Sequence, residues 1–229
     1  IRKAGRRARD LVQQILAFGR RQDSVRQPTC LRAVLEEAHG LLRATLPADV
    51  NLRLHVDDAL PAVLANATQI EQVVLNLATN ALQAVQGVPG ATVELRLERL
   101  DDPPSVVGPD EVQALPALSH WPGVGARLRV IDNGSGMPPE TLARMFEPFF
   151  TTKAPGTGTG LGLAVVHGIL REHGAALRVQ SRPGAGTVFS IGFAGLPDAR
   201  PDEPAPPQAR AAPAAPDTGV RHVLYVDDD

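Results

Sequence analysis

Two side-chain amides and one carboxylate carry the clearest chemical signal in this sequence. Asn76 and Asn80 stand four apart in Asn76-Leu77-Ala78-Thr79-Asn80, a spacing that puts both on one face of a helix. A carboxamide oxygen is a hard, neutral ligand of the kind Mg²⁺ accepts, and Mg²⁺ at phosphoryl-transfer sites takes few protein ligands and several waters. The plainer alternative is that the two asparagines cap or bridge backbone. Asp132 opens Asp132-Asn133-Gly134-Ser135-Gly136-Met137. Its ionised carboxylate only accepts hydrogen bonds, which suits an exocyclic amine such as that of adenine, although Asp-Asn-Gly also makes turns. Gly134 and Gly136 would leave room for a base to approach the backbone. Farther on, Gly156-Thr157-Gly158-Thr159-Gly160-Leu161-Gly162-Leu163 runs straight into an apolar helical pattern. Unpaired N–H groups and the helix dipole there favour phosphate. The two glycine segments together predict a nucleotide pocket, with adenine at one end and phosphates at the other.

The stretch between them is rich in Thr and Gly and reads as a mobile lid from Thr151 to Gly160. Lys153 within it either meets the terminal phosphate as a point charge or stays solvated. Phe146, Phe149 and Phe150 read as anchors packing the lid on the core. His167 and His173, on the following helix, read as structural or exposed.

These residues need elements to hold them. Ile1, Ala4, Ala8, Leu11, Ile15 and Phe18 alternate three and four apart, a seam that asks for a partner helix. Thr29 is a candidate N-cap for a helix burying Leu31, Val34, Leu35, Ala38, Leu41 and Leu42, which Pro47 stops. Val50 to Val56 alternates as a strand, and a helix follows Asn66 with Ile70, Val73, Val74, Leu77, Ala81 and Val85 at helical spacing. Val93, Leu95 and Leu97 predict another strand, residues 101–125 a loop insertion, and Leu128 to Ile131 a short strand delivering Asp132. Short and long helices over 138–145 and 161–172 precede a hairpin whose arms are Leu177 to Ser181 and Thr187 to Phe193. From about Leu196 to Gly219 the chain is Pro/Ala-rich and reads as a semi-extended linker. His222-Val223-Leu224-Tyr225-Val226-Asp227-Asp228-Asp229 then looks like the first strand of a further domain.

Composition bounds the possibilities. The 229 residues suffice for one main domain with appendages, and a net charge of −2 gives no global reason to expect nucleic acid. One cysteine, Cys30, excludes an internal disulfide framework and suits a reducing compartment. No apolar run approaches the ~18 residues of a membrane span. This portion is therefore expected in the cytoplasm, with any membrane attachment through segments upstream of it.

The order of the motifs resembles the catalytic ATP-binding domain of sensor histidine kinases, in the class that includes gyrase, mismatch-repair and heat-shock-chaperone ATPases. Val74 to Ala81 is similar to that family's asparagine box, Asp132 to Gly136 to its first glycine box, and Phe146 to Lys153 to its phenylalanine box. Gly158 to Leu163 matches the second glycine box and Gly184-Ala185-Gly186-Thr187 the last. Five motifs in order carry far more than any single glycine run. The resemblance implies an α+β fold, a two-layer sandwich of a mixed, largely antiparallel sheet on helices (the Bergerat type), preceded by a dimerisation helix. It also implies ATP and Mg²⁺ as cofactors. Asn80 would hold the metal and Asn76 support the phosphate end. Asp132, Gly134, Gly136, Met137, Phe150, Thr151, Thr152, Lys153, Gly158, Thr159, Gly160, Leu161, Gly162 and Thr187 would complete the nucleotide site, with Lys153 also acting in transfer. Gln83 departs from the pattern, standing where many of these kinases carry a basic residue.

The resemblance also divides the chain. Residues 1–26 would be the second helix of a dimeric histidine-bearing bundle, residues 27–195 the catalytic domain, 196–220 the linker and 221–229 the start of a receiver domain with Asp227 and Asp228 as Mg²⁺ ligands. ATP-hydrolysing relatives place a Glu at position 76 as general base, and Asn76 cannot take a proton in that way. Transfer to a protein acceptor is therefore expected over hydrolysis. No histidine here precedes an acidic residue as the family's acceptor does, so the acceptor is expected upstream and this portion alone should bind nucleotide without phosphorylating itself. Expected partners are a second copy through residues 1–21 and a receiver in cis or a response regulator in trans, with no nucleic acid. A clamp-type ATPase of the same fold and a partner-binding module without nucleotide are the competing readings.

Overall fold

Alternating and helical apolar patterns condense into a six-stranded sheet with helices against its apolar face. The computed structural model describes residues 25–47, 49–102, 111–115, 123–153 and 158–196. The seam of residues 1–21, the stretch after Leu196 with Asp227 and Asp228, and lid residues 154–157 lie outside them.

Strands β1 (Gln27–Thr29) and β3 (Val63–Ala65) form a small antiparallel pair. The main sheet takes β2 (Asn51–Val56), β4 (Thr92–Leu100), β5 (Glu111–Leu115), β6 (Gly125–Asp132), β7 (Ala176–Ser181) and β8 (Thr187–Ala194) in the order β2-β4-β6-β8-β7-β5. Only β2 and β4 run parallel, and the long connection such a pair requires contains helix α2 (Ala67–Ala84). The mixed, largely antiparallel sheet is the architecture the motifs imply.

Helix α1 (Leu31–Thr45) and helix α4 (Gly162–Glu172) pack on either side of α2. Leu31, Leu35, Ile70, Val73, Leu77 and Leu170 meet Leu95, Leu97, Leu128, Leu177 and Ile191 of the sheet in one buried core. Asn66 caps α2 by accepting the Gln69 N–H at 3.1 Å. The outer face of the sheet is a charge ladder in which Arg96 pairs with Glu94 at 2.6 Å and Arg127 with Glu98 at 2.8 Å.

Three expectations change. Thr29 does not cap α1: it ends β1, its hydroxyl donating to the Gln27 and Ala65 carbonyls at 2.9 Å, and Cys30 takes the cap position without a side-chain bond. Leu41 is 51% exposed, because the buried stripe runs Leu31, Val34, Leu35, Ala38 and Leu42. The supposed loop insertion contributes β5, which pairs with β7 and buries Leu115. An open edge on β7 would leave a row of unpaired backbone groups, and five residues with weak alternation suffice to cover it.

Candidate functional site

The end of β6 is where the chemistry gathers. Asp132 pairs with Thr187 of β8 in the sheet register and is only 7% exposed. Its Oδ1 accepts the Gly134 N–H at 2.8 Å. Burial raises its pKa, while the Gly134 and Thr187 backbone bonds pull the other way. The loop after it is fixed on three sides. Asn133 accepts the Thr92 N–H at 2.8 Å and donates to the Gly90 carbonyl at 3.0 Å, the Ser135 N–H donates to Ala84 at 3.1 Å, and the Met137 N–H donates to the Ser181 hydroxyl at 2.9 Å. Ser181 in turn donates to the Gly186 carbonyl at 3.0 Å and shares a 2.9 Å bond with the Thr187 hydroxyl.

The glycines here serve packing of the chain on itself. A Cβ on Gly134 would fall 2.6 Å from the Ala84 carbonyl carbon, and one on Gly136, at φ +64°, would overlap the Arg182 carbonyl. A β-carbon at Gly186, φ +79°, would strike the Asp132 carbonyl. Close approach of protein backbone, before any approach of a base, fixes these three positions.

A cleft of about 600 Å³ opens between this loop, α2, helix α3 (Pro139–Arg144) and the N-terminus of α4, a size typical of small-molecule sites. Asn76 and Asn80 both line it from α2. The Asn76 amide lies beside Gly162, whose Cβ would sit 3.6 Å from Asn76 Oδ1. No side chain caps α4, so its first N–H groups are open to an anion on the side where Gly162 and Leu163 line the cleft. Lys153 reaches across from the loop, its ammonium donating to Asn80 Oδ1 at 3.2 Å and also to Gln83 Oε1. Desolvation there lowers the Lys153 pKa.

Gly136, Met137, Phe150, Thr151, Thr152, Gly158, Thr159, Gly160 and Thr187 line the same cleft. Two predicted site residues do not. Gly134 backs onto Ala84, and Leu161 is buried at the head of α4, its N–H donating to the Thr159 hydroxyl at 3.4 Å. The phenylalanines also divide. Phe146 packs on the core, Phe150 faces the cleft under the Arg144 guanidinium at 4.4 Å, and Phe149 is 70% exposed at φ +67°, its N–H bonded to Gly160. Only the first is the core anchor expected of all three.

His173 is structural: Nε2 accepts the Asn66 N–H at 3.1 Å and Nδ1 donates to the Ile169 carbonyl at 2.8 Å. His167 packs at a tilt on Phe146, with ring centroids 5.1 Å apart. Sequence reading missed the supports Asn133 and Ser181 and the wall residues Thr79, Ser135, Thr141, Met145 and Phe189. Asn133 stands inside a motif and was legible as a turn former. Ser181 carries no local signal, since its partners lie 44 residues back and across a hairpin.

A mixed sheet on helices, with one cleft that has a buried carboxylate at one end and amides, a lysine and a helix N-terminus at the other, defines a nucleotide-binding catalytic domain. Residues 65–197 match the family of histidine kinase-, DNA gyrase B- and HSP90-like ATPases, and the chain belongs to it. Within that family the resemblance is to sensor kinases. The chain is 34% identical along its whole length to the sensor kinase CckA of Brucella abortus, of which it spans 24%. Among solved structures it is similar to the mycobacterial sensor histidine kinase MprB, with a TM-score of 0.55, 26% identity and coverage of 76% of this chain and 99% of that one. It is also similar to full-length ShkA in complex with AMPPNP, with a TM-score of 0.61, 25% identity and coverage of 84% and 36%. The chain thus contains a histidine-kinase ATP-binding catalytic domain, and it spans or matches about a quarter of the length of the relatives CckA and ZraS. No helix among the described residues is long and apolar enough to cross a membrane.

Proposed function

We propose that the chain binds ATP in this cleft and directs its γ-phosphoryl to a histidine outside the catalytic domain, from which it passes to a receiver aspartate. The observation that carries this reading is that Asp132 is the only carboxylate among the described residues lining the cleft. It sits at the end suited to adenine, leaving the phosphate end with amides and an ammonium. Nothing there can take a proton from water as a carboxylate would. None of the histidines among the described residues lines the cleft either, which fits an acceptor supplied from elsewhere.

Asp132 would accept from the adenine amine, with Met137, Met145 and Phe189 as apolar walls. At the other end the α4 N–H groups, Asn76 and Lys153 would hold and orient the phosphates. The Asn80 carbonyl oxygen already faces a cation, so the donor set fits Mg²⁺, which supplies charge neutralisation of the triphosphate when bound. Among the described residues no cluster of three or more His, Cys, Asp or Glu forms a cage for such an ion, and the triphosphate itself would complete its shell. Transfer is then positioning and charge stabilisation. ShkA, solved with AMPPNP, supports an adenine nucleotide as the ligand. We assign residues 1–26 to a dimerisation bundle, 27–195 to the catalytic domain, 196–220 to a linker and 221–229 to the start of a receiver, with Asp227 and Asp228 as its Mg²⁺ ligands. The partners would be a second copy and a receiver, in cis or in trans.

The test uses ATP labelled on its γ-phosphorus. The 229-residue chain should bind MgATP without labelling itself, and the chain extended upstream through the acceptor helix should gain acid-labile label on histidine. Sustained Mg²⁺-dependent hydrolysis by the chain alone, abolished in Asp132→Asn, would favour the clamp ATPase instead.

A further inference from the structure

Position 83 lacks the basic side chain that the motif resemblance leads one to expect, yet a cation stands beside it. Lys153, 70 residues away in sequence, bridges the carboxamide oxygens of Gln83 and Asn80. The two oxygens lie three residues apart on α2 and so face the same way. Two further contacts fix the path of the lysine. Its backbone N–H donates to the Thr151 hydroxyl at 3.2 Å, and a Cβ on Gly158 would fall 3.1 Å from its Cδ, so the stem lies against a bare glycine. Both holding groups are neutral amides, and no carboxylate among the described residues lines this end of the cleft. The ammonium is therefore held without being neutralised.

We propose that Gln83 is a positioning residue that keeps the Lys153 ammonium on the metal-binding oxygen of Asn80, giving the phosphate end a built-in cation when no divalent ion is present. The inference rests on reading the cleft as a nucleotide site with Asn80 as its metal ligand. One amide oxygen cannot serve an ammonium and a divalent ion at close range together, because the two charges repel. When a divalent ion takes Asn80, the Gln83 oxygen still retains the ammonium beside the phosphates. Metal-free nucleotide thus depends on the Gln83–Lys153 pair most, and metal-loaded nucleotide, part of whose phosphate charge the ion offsets, depends on it less.

Calorimetric titration of the 229-residue chain with ADP and ATP, in excess chelator and in millimolar Mg²⁺, tests this. Lys153→Met and Gln83→Leu should each weaken binding in chelator about tenfold, the worth of one charge-assisted contact, and weaken binding in Mg²⁺ by a smaller factor, about threefold on the same scale. The double variant should be no weaker than Lys153→Met alone, because Gln83 acts through the lysine. Both side chains lie at the surface, so the variants should melt with the parent chain. Equal losses with and without Mg²⁺, additive losses, or a silent Gln83→Leu beside a weakened Lys153→Met would each overturn the proposal. Parent binding that vanishes in chelator overturns it too. Absence of any binding by the parent chain, in either condition, removes the nucleotide reading along with it, whereas tight parent binding with unaffected variants removes this inference alone.

Discussion

Asp132, proposed as the adenine acceptor, is a residue whose burial costs the fold. Burial raises its pKa, so the native state binds its proton more tightly than the unfolded chain does. Its contribution to stability is fully present below the unfolded value near 3.8 and is lost as pH rises through the raised folded value. Once ionised, the group is a net burden. Asp132→Asn keeps an acceptor for the Gly134 N–H and removes that burden, so thermal melting at pH 7 should show a variant at least as stable as the parent, with the difference shrinking in acid. The same change would put an N–H donor at the position proposed to accept from the adenine amine. Nucleotide affinity should fall by about 1.5–3 kcal/mol, roughly ten- to a hundredfold. A variant that loses stability and affinity together would place Asp132 in a structural role instead.

At the scale of elements, α2 and α4 form one platform for the proposed phosphate end. Asn76, Asn80 and Gln83 project from α2, and α4 brings its uncapped N-terminus to them. At the opposite end of α4, His173 bonds the Asn66 N–H that opens α2, pinning the pair. Burial first, and then Arg26, lower the His173 pKa. The neutral ring is the one that accepts from Asn66, so this contribution is present above the unfolded value of 6.5 and is lost as pH falls through the lower folded value. His173→Leu leaves the Asn66 N–H without that acceptor and should cost about 1–3 kcal/mol in chemical denaturation at pH 8. The gap to the parent chain should narrow by pH 5. A constant gap across that range would show that His173 acts by packing alone.

For the whole molecule, the cleft is the place where β6, β8, α2, α3 and α4 converge, so a ligand there should brace elements far apart in the chain. Nucleotide at a hundred times its dissociation constant stabilises the native state by about 2.7 kcal/mol. For a domain of this size that corresponds to a rise in melting temperature of roughly 5–10 °C. Differential scanning calorimetry with ADP or ATP should show the rise in the parent chain, and at most about half of it in Asp132→Asn at the same concentration.

The sequence by itself determined the helices and most strands, the shared face of Asn76 and Asn80, the placement of Asp132 at a strand end, and the family. These depend on periodicity and short-range motif spacing, which are written within a few turns of chain. Tertiary structure alone decided the rest. It made a strand of residues 111–115, because the open edge of β7 needed a partner that no local pattern announces. It gave Gly134, Gly136 and Gly186 their steric reason in backbone that arrives from Ala84, Arg182 and Asp132. It drew Ser181 under the Met137 N–H, left Phe149 exposed, and set the charge of Lys153 beside Gln83, where the helix carries none of its own. Each of these is a contact between segments that meet only after the sheet has taken its register, and no spacing along the chain encodes that register locally.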